Sequence, residues 1–330
     1  MNKMKIENNT LKQIGEKLEK ADSVLLFPHI QMDGDALGSS AALCRALRNA
    51  GKEAFILIED EVPEYLSFLD RGYCTKDQTC IAAPDVCICV DCGEVSRFPE
   101  RRQAFFRGKT TICVDHHTTS QPFADYNYID GRIAATAEII YNILTAAEFP
   151  IDQEIGEAIF TGICTDTGNF QYSNATKESH LITAALYDAG IDHARIAVEL
   201  YQNTRLEKIR ITSRILDTLV IFAEGRAAMA YVTQDMLEQV GAKLEETEGV
   251  VETLRNIKGV EIAAFVKERE QKLIKVSMRA KTSGNVADIA AQFGGGGHVK
   301  AAGCTFRTEL KEACTELKGA IERSLEKAEA

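Results

Sequence analysis

Residues 111–117 read Thr-Ile-Cys-Val-Asp-His-His, so a short apolar run ends in one carboxylate and two imidazoles. The first four residues have the composition of a strand that is covered on both faces. A buried acid or imidazole is costly unless it is paired or coordinated to a metal. Asp115, His116 and His117 at the end of one buried strand therefore indicate a functional site rather than core packing.

Short apolar runs and amphipathic stretches alternate around this strand. The runs predict strands, and apolar spacing of three and four residues predicts helices. The predicted strands are residues 23–28, 53–58, 85–90 and 110–114, and the predicted helices lie near residues 9–21, 36–50, 61–70 and 94–107. This alternation predicts an α/β fold with a doubly wound parallel sheet. Such sheets bind ligands at the carboxyl ends of their strands.

The pattern changes twice in the rest of the chain. Residues 132–220 are mostly helical, with one long helical stretch predicted from 192 to 220. Further on, strands are predicted at residues 226–232, 260–267 and 273–280, and helices near 234–239, 246–256, 285–293 and 308–328. We therefore predict a first domain over residues 1–190, a helical linker over residues 191–222 and a smaller α/β domain over residues 223–330.

The composition limits the functions that the chain can have. A net charge of -11 counts against tight binding of long DNA or RNA, which requires many lysine and arginine contacts. No run of about 20 apolar residues is present, so we predict no membrane span. The N-terminus lacks the apolar region of a secretory signal. Most of the ten cysteines lie in apolar segments, as is typical of a reducing cytosol, so we expect a cytoplasmic protein.

Acids and imidazoles recur where four apolar segments end. The candidate metal ligands in these segments are His29, Asp33, Asp35, Asp91, His116 and Asp166. Each has an ordinary explanation as a helix cap or a turn residue, but their conjunction predicts a two-metal hydrolytic site. Mixed carboxylate and imidazole ligands suit Mn²⁺ or a similar divalent ion. A shared carboxylate can bridge two ions about 3.5–4 Å apart, the spacing used for displacement at phosphorus.

A second unusual segment lies near the C-terminus. Residues 293–303 read Phe-Gly-Gly-Gly-Gly-His-Val-Lys-Ala-Ala-Gly. Glycines expose backbone N–H groups without side-chain obstruction, which suits the close approach of a phosphate. A flexible linker is the alternative, but linkers rarely lie between an apolar helix and an Ala-Ala-Gly packing segment. The candidate substrate-binding residues of this segment are Gly295, Gly296, Gly297 and His298.

Together these motifs resemble those of the DHH phosphoesterase superfamily, and the glycine segment resembles its DHHA1 domain. The resemblance implies two divalent metal ions, with Mn²⁺ as the expected metal. One ion would be held by His29, Asp33 and Asp91. The other would be held by Asp35, Asp91, His116 and Asp166, so that Asp91 bridges the two.

The same resemblance assigns roles beyond the metal ligands. His117 would face the substrate phosphate, and Asp115 would orient an imidazole. Arg279 would point into a cleft between the domains, although an arginine on a strand can equally be a solvated edge residue. Residues 1–190 would be the DHH metal-binding catalytic domain and residues 223–330 the DHHA1 substrate-binding domain, with the active site in the cleft between them.

The compact DHH–DHHA1 architecture resembles the nano-RNase and pAp phosphatase group. That resemblance implies a two-metal enzyme that cleaves short oligoribonucleotides to mononucleotides and 3′-phosphoadenosine 5′-phosphate (pAp) to AMP. The alternative is a phosphodiesterase of linear dinucleotides (pApA, pGpG) that arise from cyclic dinucleotides. An inorganic pyrophosphatase fits the glycine segment less well, and a non-catalytic nucleotide-binding module does not explain the intact ligand set. The sequence does not determine the oligomeric state, and a homodimer is one possibility.

Overall fold

Two six-stranded sheets organise the chain in the computed structural model, which describes residues 8–282 and 284–327. The chain divides into two compact units, of which the first ends at Asn203 and the second begins at Thr204. The first sheet is parallel throughout, and the second is mixed. The predicted α/β fold, with a doubly wound parallel sheet and a smaller second unit, is therefore confirmed.

The first unit has the alternation of strands and helices that the sequence predicts. Its strands are β1 (Ser23–Phe27), β2 (Glu53–Leu57), β3 (Cys74–Thr75), β4 (Val86–Val90), β5 (Thr110–Asp115) and β6 (Tyr126–Ile129). Its helices are α1 (Leu11–Lys20), α2 (Gly34–Asn49), α3 (Arg102–Phe105), α4 (Thr136–Ala146), α5 (Gln153–Asp166), α6 (Lys177–Asp188) and α7 (His193–Ala197). The strand order is β3-β2-β1-β4-β5-β6, so the order reverses between β1 and β4. The carboxyl ends of strands at such a reversal form a ligand-binding crevice.

Both faces of the first sheet are covered, which explains its continuous apolar strands. Alternate residues of β1 pack on opposite faces. Val24 and Leu26 lie in the larger core cluster, whereas Leu25 and Phe27 lie in a second cluster on the other face. The Phe27 ring contacts that of Phe105 with 5.3 Å between centroids. Strands buried in this way need no polar alternation.

Several elements differ from the prediction. The helix predicted near 61–70 is a 3₁₀ helix over Glu64–Leu69, and the one predicted near 94–107 is reduced to two short 3₁₀ turns and α3. Pro99 lies within that second stretch, and its missing N–H prevents a continuous helix. The helix predicted from 192 to 220 is interrupted after α7 by a π-helical segment, Val198–Gln202. The short strands β3 and β6 were not predicted.

The second unit encloses its sheet between two sets of helices. Its strands are β7 (Val220–Phe222), β8 (Ala227–Val232), β9 (Ile262–Glu270), β10 (Leu273–Ala280), β11 (Gly296–His298) and β12 (Ala301–Phe306). Its helices are α8 (Leu206–Leu216), α9 (Gln234–Val240), α10 (Val250–Arg255), α11 (Val286–Ala291) and α12 (Leu310–Lys327). The strand order is β11-β12-β10-β9-β8-β7. α11 and α12 pack on one face, and α8, α9 and α10 cover β8 and β9 on the other. The sequence prediction did not include β7, β11 and β12.

Among the described residues, no helix combines the length and the apolar composition needed to cross a membrane.

Two glycines allow α2 to pack closely against its neighbours in the first unit. A Cβ atom on Gly38 would lie 2.5 Å from the carbonyl oxygen of Ala158 in α5. A Cβ atom on Gly162 would lie 2.6 Å from Ala137 Cβ and 2.8 Å from Asp35 Oδ1. The first turn of α2 is therefore held directly against α4 and α5.

Replacing Gly38 with alanine should lower the free energy of unfolding by about 1–3 kcal/mol, because the added methyl group overpacks the contact with α5. The matched control is Gly319→Ala in α12, where a Cβ atom would meet the flexible Arg323 side chain at 3.2 Å. That variant should be more stable by about 0.5–1 kcal/mol, because alanine favours a helix over glycine. Urea denaturation measures both changes, and a Gly38→Ala protein as stable as the wild type would contradict the expectation.

Candidate active site

The acids and imidazoles predicted from the sequence lie at the carboxyl edge of the parallel sheet. His29 follows β1, Asp91 follows β4, and the Asp-His-His run begins with the last residue of β5. Asp33 caps α2, and Asp166 is the last residue of α5. Because β1, β4 and β5 are neighbours in the sheet, their ends bring these side chains together.

One group of candidate ligands contains His29, Asp33 and Asp91. His29 Nε2 lies 3.7 Å from Asp33 Oδ2 and 3.6 Å from Asp91 Oδ2. His29 Nδ1 lies 2.6 Å from the carbonyl oxygen of Ile30, a contact that orients the ring. His29 and Asp91 are buried, whereas Asp33 is half exposed. One ligand atom from each of the three residues lies within 4.8 Å of the others, which is close enough for one metal ion.

A second group contains Asp35, His116 and Asp166. His116 Nε2 lies 3.1 Å from Asp166 Oδ2 and 3.8 Å from Asp35 Oδ2. Asp91 lies between the two groups, because its Oδ1 is 3.6 Å from His116 Nε2 while its Oδ2 faces His29. The structure thus brings all six predicted ligands together, and their binding of metal stays a prediction.

Asp91 has an unusual backbone conformation at the end of β4. Its φ is +57°, in the left-handed region. Aspartate and asparagine adopt this region more readily than most residues other than glycine. The Asp91 N–H donates to the carbonyl oxygen of Val114 at 3.0 Å, so pairing with β5 continues through the bend.

The N-terminus of α4 holds two of the buried carboxylates. The backbone N–H groups of Thr136 and Ala137 donate to Asp35 Oδ2 at 2.6 Å and to Asp35 Oδ1 at 2.9 Å. Thr136 Oγ1 donates to Asp91 Oδ1 at 2.8 Å. The sequence analysis missed these residues. One feature of the sequence points to this role. Ala135, which precedes α4, has no side chain that could cap the helix, so the first N–H groups of α4 need another acceptor.

Asp115 and His117 form a pair beside the two groups. His117 Nδ1 lies 3.8 Å from Asp91 Oδ1, and His117 could also join Asp91 and His116 around a metal ion. Asp115 is fully buried, and its Oδ1 lies 2.8 Å from His117 Nδ1. Ser120 Oγ, another residue that the sequence analysis missed, donates to Asp115 Oδ2. The hydrogen bond that His117 Nδ1–H donates to Asp115 raises the pKa of His117. The His117 side chain is 49% exposed, so Nε2 is left for another partner.

The carboxylates of the two groups carry more negative charge than the neighbouring side chains compensate. Burial lowers the pKa of His29 and of His116, but adjacent carboxylates outweigh this effect and raise both to about 10. Burial and the charges of Asp91 and Asp166 raise the pKa of Asp35 well above its usual range. Within the described residues, no lysine or arginine forms an ion pair with these carboxylates. Carboxylate and imidazole donors with this uncompensated charge fit divalent ions, which replace bound protons.

The predicted substrate-binding arginine and histidine lie in the second unit. Arg279 in β10 and His298 in β11 both pair with Ala301 of β12, so they flank it on one face of the sheet. Arg279 Nε donates to Glu252 Oε1 at 2.9 Å, and the side chain is 31% exposed. Arg279 is therefore an ion-paired residue rather than a free, solvated one.

The three predicted glycines have different surroundings. A Cβ atom on Gly295 would lie 2.2 Å from the carbonyl oxygen of Gly303, and one on Gly297 would lie 2.5 Å from that of Ala301. Close pairing with β12 therefore excludes side chains at Gly295 and Gly297. Gly296 is exposed and has open space around it. Contact of these residues with a substrate stays a prediction.

Comparisons with known proteins agree with the motifs and the fold. Residues 23–163 match the DHH family, N-terminal domain, and residues 225–327 match the DHHA1 domain. The bifunctional oligoribonuclease and PAP phosphatase NrnA of Thermus thermophilus is 30% identical over 321 residues, which are 96% of this chain and 95% of that protein. The chain belongs to the DHH phosphoesterase family. The resemblance drawn from the motifs is confirmed, and so is the prediction that this DHH protein is a hydrolase.

Other DHH proteins match over similar lengths. The bifunctional oligoribonuclease and PAP phosphatase NrnA of Bacillus subtilis is 27% identical over 289 residues, which are 86% of this chain and 90% of that protein. The crystal structure of an exopolyphosphatase-related protein from Bacteroides fragilis has a TM-score of 0.88 and 25% identity, and the match covers 95% of each chain. The DHH–DHHA1 architecture thus extends over nearly the whole chain.

Thr136→Val should weaken the binding of Mn²⁺ by about 10–100-fold, because valine keeps the shape of threonine but cannot donate to Asp91. Thr161→Val is the matched control. Its buried hydroxyl donates within α5 to the carbonyl oxygen of Glu157, at 2.8 Å, and to no candidate ligand. Calorimetric titration with Mn²⁺ measures both variants, and similar affinities for the two would show that Thr136 does not hold Asp91 for metal binding.

Without metal, the protein should become less stable as the pH rises from 6.5 towards 10. The folded state raises the pKa of His29 and His116 from 6.5 to about 10, so it keeps protons that the unfolded chain releases. This stabilisation is complete below pH 6.5 and is lost as the pH approaches 10. Denaturation of EDTA-treated protein between pH 6.5 and 8.5 measures the slope. Saturating Mn²⁺ should remove it, and a stability that increases with pH in EDTA would contradict the explanation.

Proposed function

We propose that this protein is a Mn²⁺-dependent phosphoesterase that hydrolyses short oligoribonucleotides to mononucleotides and pAp to AMP. The observation that carries the proposal is the position of Asp91, with one oxygen facing His29 and the other facing His116, among further acids at the edge of the sheet. The substrate class is supported by relatives that are named as oligoribonucleases and PAP phosphatases and that align over most of the chain.

The two groups of acids and imidazoles would hold two divalent ions. The ligands of one would be His29, Asp33 and Asp91, and those of the other Asp35, Asp91, His116 and Asp166. When bound, such ions supply charge stabilisation to phosphoryl oxygens and activate water at neutral pH. The chain's part is to keep these ligands in position. The N-terminus of α4 does so for Asp35 and Asp91, through backbone N–H groups and the hydroxyl of Thr136.

His117, held in position by Asp115, would act directly on the substrate phosphate. Asp115 holds Nδ1 of the imidazole, so Nε2 on the half-exposed side is available to a phosphate oxygen. Because Asp115 accepts a hydrogen bond from Nδ1–H, the pKa of His117 is raised and a protonated ring is favoured. A protonated Nε2 would donate to a non-bridging oxygen as negative charge develops there. Ser120 holds the second oxygen of Asp115 and keeps the pair oriented.

We assign catalysis to residues 1–190 and substrate binding to residues 223–330, with residues 191–222 as the linker. Arg279 uses Nε for Glu252 and keeps further N–H donors for a phosphate. The adjacent donors would come from His298 and the segment 295–297. A net charge of -11 favours short ligands over long nucleic acid. The cysteines are unpaired, which supports a cytoplasmic location.

With Mn²⁺, the protein should hydrolyse a 5′-labelled RNA dinucleotide and pAp and leave an RNA of about 24 nucleotides largely intact, because few cations are available to hold a long strand. His117→Gln should lower kcat by about 10²–10⁴-fold and still bind Mn²⁺, since the proposal does not make His117 a ligand. Asp91→Asn, by contrast, should lose both turnover and Mn²⁺ binding. Product chromatography and calorimetric titration with Mn²⁺ measure these effects.

Two results would reject this function. Turnover of pApA and pGpG, but neither of pAp nor of RNA dinucleotides of other sequence, would replace it with a phosphodiesterase of the linear dinucleotides that arise from cyclic dinucleotides. Turnover of none of these substrates by folded, Mn²⁺-loaded protein would exclude both activities. His117→Gln protein that keeps wild-type kcat would reject the role of the imidazole alone.

A further inference from the structure

The second unit contains a groove that extends beyond the proposed substrate-binding residues, of which Gly295 alone is in its lining. Its volume is about 400 Å³, and it is lined by residues of β10, β12 and the segment before β11. The polar side chains that line it are Lys275, Ser277 and Thr305. In the described part of the chain, no acidic residue lines this groove.

Two lysines face each other across neighbouring strands beside this groove. Lys275 in β10 pairs directly with Lys267 in β9, and like charges in this position destabilise a sheet. Lys275 has no ion-pair partner among the described residues. Burial lowers the pKa of Lys267, and the charges of Arg269 and Lys275 act in the same direction, an effect that Glu248 and Glu252 offset only in part. An anion between the two amines would relieve their repulsion.

Two hydroxyl groups lie on the same face of the sheet as Lys275. Thr305 pairs directly with Lys275, and Ser277 pairs with Gly303. Paired residues share a face, and so do residues two positions apart in one strand. Neither hydroxyl has a hydrogen-bond partner in the ranges that the structure describes. Gly303 has no side chain, so the surface between the hydroxyls is open. Ammonium and hydroxyl donors suit a phosphate group. No carboxylate lines the groove itself, and the carboxylates of Glu248 and Glu252 act on Lys267 from outside it.

We propose that the site formed by Lys267, Lys275, Ser277 and Thr305, here called the β10 phosphate site, binds a backbone phosphate of an oligonucleotide. This inference rests on the proposed oligoribonuclease function. It adds a site for a phosphodiester group to the contacts expected from Arg279 and the glycine segment.

The position of Arg279 on the same strand predicts which substrates use this site. Arg279 lies on the same face of β10 as Lys275 and four residues further along, roughly 13 Å between Cα atoms. Side chains stand roughly perpendicular to a sheet, and the ion pair with Glu252 holds the Arg279 guanidinium, so the two cationic groups stay apart. A ligand that contacts both in this arrangement carries at least two phosphates. The two phosphates of pAp are attached to a single ribose, whereas those of a trinucleotide are spread along the strand. The β10 phosphate site therefore favours oligonucleotides over pAp.

The variant Lys267→Gln/Lys275→Gln tests the site without changing a proposed catalytic residue. Calorimetric titration of EDTA-treated protein with 5′-phosphorylated triadenylate measures binding in the absence of turnover. We expect about tenfold weaker binding of triadenylate. We also expect the slope of log affinity against log salt to fall by about 0.7 for the lost phosphate contact. Affinity for pAp should stay within about twofold of the wild type.

The matched control is Lys311→Gln/Lys318→Gln, which makes the same charge change on α12, the helix that covers the opposite face of the sheet. It should leave the affinity for triadenylate unchanged. Unchanged affinity in the β9–β10 variant, an equal loss in the α12 control, or an equal loss of pAp binding would each overturn the proposal. If wild-type protein binds triadenylate through the two lysines but does not hydrolyse it with Mn²⁺, the β10 phosphate site stands and the proposed hydrolytic function falls.

Discussion

Concentrated negative charge at the carboxyl edge of the parallel sheet is the constraint on which the first unit depends. Asp35, Asp91 and Asp115 are buried, and the described residues offer them imidazoles, hydroxyls and backbone N–H groups but no ion pair with lysine or arginine. Burial of like charges is unfavourable unless cations compensate them. The close packing of α2, the uncapped start of α4 and the bend at Asp91 all keep these charges together. Divalent ions bound at this edge would therefore add to the stability of the fold.

The candidate metal ligands at this edge could be predicted from the sequence, but the residues that hold those ligands in position could not. The acids and imidazoles were predictable because each interrupts or ends an apolar segment, where burial of a polar side chain is costly unless it has a partner. Thr136 was not, because threonine at the start of a helix is ordinary and its partner Asp91 is 45 residues away in sequence. The strand β3 has two residues and exists only through its pairing with β2. A pattern of two residues cannot specify a strand, because this strand is determined by its pairing with β2.

The glycine segment shows why one sequence feature can serve two physical requirements. Glycines were expected there so that backbone N–H groups could approach a phosphate. The structure shows a second reason at Gly295 and Gly297, because β12 leaves no room for a side chain. At Gly296, by contrast, space is open and strand pairing gives no reason for glycine. Arg279 is similar, since its ion pair with Glu252 orders the guanidinium within the unit whether or not a ligand is present.

The left-handed backbone at Asp91 restricts how this protein can evolve. Most side chains at that position would add backbone strain to the loss of a charge, whereas asparagine and glycine would remove the charge and keep the bend. A descendant that had lost catalysis but kept the fold would therefore have asparagine or glycine at this position, even after the other acidic residues of the site had been replaced. In this fold, the identity of the residue that follows β4 therefore reflects two constraints, the left-handed backbone conformation and the charge required for activity.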